Sequence, residues 1–244
     1  MIQNSLKTRG YHVGVRFAPV AVFDKAHRQE FQNKLSQGFD WRRQEFADKT
    51  WVLSAPQGEG DPRSHVKLTL QPDQLNFEEI FPLSTLDLFV DSLRLALEGV
   101  ADVFGPRVLL GSGAMIRLTL EAVGGDARFF LGNRCLHLED RLRPIGRPVH
   151  AVGLKFVLPP VPAEGQTATP AAAAVGAGQQ PWQATVKIES LIEDVRQLFV
   201  EVDAVWGTPC AWSLDAIAER VRTASAFAAG PVVAFLSQYA EPAG

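Results

Sequence analysis

A chain of 244 residues with 46% hydrophobic and 21% charged side chains can bury a large core, as one big domain or two of ordinary size, which excludes wholesale disorder. Its net charge of -3 gives no global pull toward nucleic acid or anionic membrane, and no apolar run reaches the length that spans a bilayer. Two cysteines, Cys135 and Cys210, are too few for a disulfide framework, and residues 1–7 lack the apolar stretch of a signal peptide, so the expected compartment is a reducing cytoplasm.

The first element is a strand. From His12 to Val20, Val13, Val15 and Phe17 alternate with His12, Gly14 and Arg16 until Pro19 stops the pattern. A short helix follows, capped by Asp24, with Phe23, His27, Phe31 and Leu35 on one stripe and Gly38 at its end. Three strands are then expected at 51–55, 65–71 and 74–80, the last two joined by a Gln71-Pro72-Asp73 turn. Residues 84–104 form the clearest helix. Ser84 and Asp87 fit a capping box, Leu86, Phe89, Val90, Leu93, Leu97, Val100 and Phe104 make its apolar face, and Gly105-Pro106 ends it.

Strand alternation returns over 107–121, where Ile116, Leu118 and Leu120 oppose Arg117, Thr119 and Glu121. A Gly124-Gly125-Asp126 turn leads into an ambiguous stretch at 129–138, and further strands are expected at 150–158, 182–189 and 198–206. Residues 159–181, rich in Pro, Ala, Gly, Gln and Thr, cannot bury enough apolar surface to fold and read as a disordered loop inside a sheet. Ser213 caps a last helix bearing Leu214, Ile217, Val221 and Phe227, which Gly230-Pro231 must kink or break.

The opening motif Val13-Gly14-Val15-Arg16-Phe17 has an echo in Val152-Gly153-Leu154-Lys155-Phe156. With a long helix closing each half, this predicts an α+β fold of two related halves, 1–106 and 107–244, each a mostly antiparallel sheet packed against a helix. Charge divides the ends: residues 1–50 hold nine Lys/Arg against five Asp/Glu, whereas residues 151–244 hold five against nine. Opposite ends of this kind attract each other or different partners.

Candidate chemistry is sparse. Cys135, His137 and Glu139 would share one face if their segment were a strand, the raw material of a nucleophile or a partial metal site. Neighbours on one strand face stand about 7 Å apart, however, too far for the direct hydrogen bond that activation needs. Glu201 and Asp203 form a second same-face pair that could hold a divalent cation, but Lys155 and Lys187 on candidate partner strands favour cross-strand ion pairing. The five histidines have no metalloprotease spacing, and Gly111-Ser112-Gly113 lacks the lysine and the following helix of a phosphate loop, so no cofactor is expected. Arg128, Arg134, Arg141, Arg143, Arg147 and Lys155 make the 128–155 region basic, a possible phosphate or nucleic-acid contact. Arg16, Arg117 and Lys155 are the cations that would line a cavity between the sheet and the C-terminal helix, if the chain binds a small ligand or hydrolyses one.

Three segments carry a resemblance: Val15-Arg16-Phe17 ending the first strand, Gly153-Leu154-Lys155-Phe156, and the acidic strand Phe199-Val200-Glu201-Val202-Asp203 ahead of Ser213-Leu214-Asp215. Together they resemble a sporadically distributed family of bacterial proteins of about this length. That family's central motif reads Gly-Leu-Arg-aromatic and runs on to an asparagine, where this chain has Lys155 and, near the asparagine's place, Val157. The resemblance implies a relationship and no activity. The expected function is therefore a non-enzymatic binding or assembly module with a protein partner or a second copy, ahead of a ligand-binding or hydrolytic protein and of a nucleic-acid binder.

Overall fold

The computed structural model describes residues 5–36, 38–58, 62–138, 141, 143–160 and 180–240. Period-two alternation dominates it. Ten strands form one sheet among these residues: β1 (Lys7–Phe17), β2 (Arg43–Ala47), β3 (Thr50–Pro56), β4 (His65–Gln71), β5 (Gln74–Ile80), β6 (Val108–Glu121), β7 (Gly153–Leu158), β8 (Gln183–Ser190), β9 (Gln197–Trp206) and β10 (Cys210–Ala211). Their order is β2-β3-β4-β5-β1-β6-β9-β8-β7, with β10 paired to the start of β6, and neighbouring strands run antiparallel.

The chain follows the same path twice. It lays down a central strand, β1 or β6, crosses to an outer edge, and returns by hairpins until β5 pairs with β1 and β9 pairs with β6. A long helix then crosses the sheet, α2 (Leu86–Phe104) in the first half and α4 (Leu214–Phe227) in the second. The Val13–Phe17 and Val152–Phe156 echo does not follow this path. Its first copy lies on central β1 and its second on edge strand β7, whereas the place of β1 in the second half belongs to β6.

Helices cover one face of the sheet. Val13, Val15, Phe17, Phe77, Ile116, Leu118, Val200 and Val202 from the strands share one core with Phe31 and Leu35 of α1 (Lys25–Leu35), Phe89, Leu93 and Leu97 of α2, and Ile217 and Val221 of α4. Removing such side chains from water supplies the main driving force, roughly 1.5–3 kcal/mol for each fully buried large aliphatic or aromatic group. The residues between them point to the other face, which no described α-helix covers. Among the described residues, no helix is long and apolar enough to cross a membrane.

Local chemistry sets the ends of the elements. Asp24 caps α1 by accepting from the His27 amide at 3.0 Å, and Ser213 caps α4 by accepting from the Ala216 amide at 3.2 Å. The cap of α2 is Thr85, one residue later than the sequence pattern suggests, because the Ser84 hydroxyl donates instead to the buried Glu79 carboxyl. Gly105, at φ 60°, ends α2 in the left-handed conformation. Strand β2 is not legible as apolar alternation; it is held by a two-residue turn in which Asp48 and Lys49 both take positive φ, the geometry that matches hairpin twist. Gly230-Pro231 does not end the last helix either. One wide π turn, Ala228–Val232, absorbs the missing proline N–H, and α5 (Val233–Ser237) continues.

Close approach of α1 to α2 depends on Gly99, where an added Cβ would stand 2.9 Å from the buried Phe31 ring. Gly99→Val overpacks this contact and is expected to cost about 1–3 kcal/mol, read as a lower urea midpoint at unchanged slope.

Candidate functional site: the open face of the sheet

The uncovered face is built from the alternate residues that the core leaves out. Cross-strand register places Lys67, Glu78, His12, Met115, Asp203 and Thr185 in one row across β4, β5, β1, β6, β9 and β8. A second row holds Arg117, Glu201 and Lys187. Glu78 is bonded from both sides, to His12 Nδ1 at 3.3 Å and to Lys67 Nζ at 3.1 Å. The histidine hydrogen bond first, and then the lysine, hold its carboxyl down to about 2. Arg117 Nε donates to Glu201 at 2.8 Å. Burial, and then the neighbouring Glu201 charge, raise the Asp203 carboxyl above its ordinary value.

Beside the first row, on the side away from the second, the floor is bare backbone. Gly14 of β1 lies opposite Gly113 of β6, and Gly111 lies opposite Arg16. Little room exists for side chains at two of these positions: an added Cβ would be 3.1 Å from Asn76 Oδ1 at Gly14, and 3.1 Å from the Trp206 carbonyl oxygen at Gly111. Glycine inside a strand weakens it and marks a place where another group approaches the backbone closely. At its β4 end the polar row runs into a cleft of about 480 Å³ lined by Arg42, Arg43, Glu45, His65 and Lys67, again mixed in sign.

The sequence-derived candidates fall into separate places. Arg16 is exposed on this face, and Lys155 is exposed on edge strand β7 with Lys187 opposite it. Lys187 lies opposite Glu201 on β8, as the strand pattern suggests, but Arg117 supplies the direct bond to Glu201, while Lys187 bonds Glu189 at 2.9 Å and Lys155 stands one strand further out. Of the 128–155 cations, two are engaged within the protein and the others are exposed. Arg128 is bound to Asp126 at 2.7 Å, Arg134 donates to the Ala240 carbonyl at 3.4 Å, and Arg141, Arg143 and Arg147 are exposed on the connection toward β7.

The Cys135-His137-Glu139 arrangement requires a strand that does not form. Asp126 accepts from the Arg128 and Phe129 amides and starts a helical turn, α3 (Ala127–Phe129), which widens into a π turn at Phe130–Cys135. Adjacent Phe130 and Leu131 are both buried, which strand alternation would not allow. His137 is exposed at φ 53°, and Glu139 lies outside the described residues. Among the described residues, no three His, Cys, Asp or Glu side chains converge in a way that could hold a metal ion.

Two residues escaped the sequence reading. His12 stood on the polar side of a recognised strand, but its partner Glu78 is 66 positions away and only the register unites them. Arg220, 1% exposed, lies beneath the sheet on α4, donating to Ser112 Oγ and Gln180 Oε1, each at 2.7 Å, and toward Cys210 Sγ at 3.5 Å. Its guanidinium also sits 5.7 Å from the centre of the Trp206 ring. Burial lowers its proton affinity from the usual arginine value. One side chain thereby ties α4, β6, β10 and the approach to β8 together.

Adjacent carboxylates on β5 show how the two faces differ. Glu78 faces the open side, whereas Glu79, 2% exposed, is sealed on the packed side, where burial raises its proton affinity. Glu78 has a folded value below its ordinary 4.5, so its contribution is present above that value and is lost as pH falls toward about 2. Glu79 has the opposite sign: its protonated form favours the fold at low pH, and stability declines as pH rises through the raised value. Glu78→Gln should lower stability at pH 7 by about 1.5–3 kcal/mol and converge with the parent near pH 2. Glu79→Gln should instead raise stability at pH 8 more than at pH 4; urea midpoints across pH separate the two signs.

Burial also pushes the Cys135 thiol up to about 11. Its alkylation by iodoacetamide at pH 7.5, followed by mass spectrometry, should be far slower than that of a free cysteine and accelerate steeply with pH.

No family model matches the chain, and no curated protein matches it. Among solved structures, it is similar to the crystal structure of the regulatory subunit of aspartate kinase from Thermus flavus, over 91% of this chain and 95% of that one, at 11% identity and a TM-score of 0.23. At that score the likeness carries no argument about fold or function.

Proposed function

We propose that this chain is a non-enzymatic binding module whose open sheet face receives a protein partner. The observation that carries the reading is the face itself: one side of a continuous sheet is sealed by helices, while the other presents charges bonded to each other beside a glycine floor. Side chains tied in this way form a fixed pattern of charge, and such patterns give specificity and steer encounter. Their mixed sign suits a protein surface. Glu78, Glu189, Glu201 and Asp203 among the cations would repel a phosphate backbone, and the central row has no Phe, Tyr or Trp on which bases could stack. In this reading residues 1–106 and 107–244 are two wings of one surface meeting at β1 and β6, and the free thiols Cys135 and Cys210 suit a reducing cytoplasm.

Site-specific photo-crosslinking tests it. A photoreactive residue replacing Thr185 on the open face should give a discrete protein adduct in a native lysate, and one replacing exposed Glu98 on α2 should not. Gly113→Gln, which fills the glycine floor without meeting a backbone clash, should abolish the Thr185 adduct while leaving thermal unfolding in place. No adduct from Thr185, or equal adducts from both positions, would overturn the reading.

A further inference from the structure

We infer that the outer edge of β7, unpaired among the described residues, is a self-association surface, at which two copies join β7 to β7 antiparallel and continue both sheets across a two-fold axis. This goes beyond the open-face reading, because it concerns a different surface and a different partner.

The sheet has two outer strands, and their chemistry differs. β2 is exposed throughout and carries Arg43 and Glu45, with Arg42, Asp48 and Lys49 beside it. Charge of this density on a short edge is the usual means of preventing another strand from adding to it. β7 bears one charged residue, Lys155, and its Phe156, Val157 and Leu158 are 37%, 58% and 41% exposed. Its inner side is bonded to β8 from Gly153 to Leu158, and no described strand occupies its outer side.

The core beneath β7 is also left open. Phe156 and Leu158 join Phe227, Pro231, Val232 and Phe235 around an apolar cleft of about 260 Å³ between the sheet and the α4–α5 helix. A second sheet continuing across the edge would extend the inner layer over this cleft and remove those side chains from water.

Of the registers centred on Lys155, Phe156 or Val157, one makes five of the six residues of β7 complementary to themselves. A two-fold axis requires inner-face residues to pair with inner-face residues, so only registers centred on a residue are available. Centring on Lys155 places two ammonium groups opposite each other, which is unfavourable. Centring on Val157 sets Lys155 against Pro159, which has no N–H to donate. Centring on Phe156 pairs Phe156 with its own copy and Leu154 with Leu158 on the inner face, and Lys155 with Val157 on the outer face. That register uses residues 154–158 from each copy and opposes no like charges.

Val157 is exposed, so substitutions there leave the protomer's core intact, yet in this register each meets the Lys155 of the second copy. Light scattering after size-exclusion chromatography of the full chain should give twice the 26.7 kDa protomer mass at micromolar concentration. Val157→Lys should weaken dimerisation by about tenfold, through two new like-charge oppositions. Val157→Glu, facing Lys155, should leave it unchanged or tighten it, and both variants should melt like the parent when diluted to monomer. A parent that is monomeric, a dimer indifferent to Val157→Lys, or equal weakening by lysine and glutamate would each overturn the inference. The Thr185 adduct reports a different partner on a different face, so either idea can fail alone.

Discussion

The ladder between β1 and β6 is the constraint on which the rest of the structure depends. It joins residues 7–17 to residues 109–119, a separation of about a hundred positions whose closure entropy grows only logarithmically with length. Most of the remaining pairings within each half are local hairpins that could form early, but β5 and β9 need β1 and β6 as templates to complete a sheet. Once the central pair exists, α2 and α4 can meet over it and bury one continuous core in place of two small ones.

The same ladder determines what the surface can do. Successive strand residues point to opposite faces, so the register that buries Val13, Val15, Ile116 and Leu118 necessarily aligns His12, Met115 and Arg117 on the other side. A slip by one residue would expose the core and scatter the charged rows together. Strand β5 states the rule within two positions: Glu78 is kept charged by His12 and Lys67, while its neighbour Glu79 is buried beside Ser84. Glycine at positions 14, 111 and 113 removes side chains where the two central strands face solvent, leaving backbone beside the charged rows.

Arg220 shows a different compromise. A buried guanidinium whose bonded partners among the described residues are neutral is a poor source of stability, since desolvation of the charge opposes what the hydrogen bonds contribute. Its value is geometric. It reaches from α4 to Ser112, Cys210 and Gln180, fixing where the chain re-enters the sheet at β8, and Trp182 then stacks on Trp206 beside it.

Period-two alternation in 65–71 and 74–80, the apolar face of 86–104 and the capping residues Asp24 and Ser213 are properties of neighbouring residues, and the α+β class and most element boundaries were legible from them. Where local signals competed, tertiary contacts decided. Ser84 gave up the cap of α2 to bond Glu79, the segment near Cys135 became a π turn so that Phe130 and Leu131 could both enter the core, and Gly230-Pro231 was carried through a continuing helix packed on the sheet. The open face was illegible for a related reason. His12 with Glu78 and Arg117 with Glu201 are separated by 66 and 84 positions, and a strand's own pattern says which face a residue takes but not which strand lies beside it. The sequence by itself determined the faces of the recognised strands and most of the elements; only the tertiary structure decided partners and the remaining elements, because that energy is spent between residues that no local pattern connects.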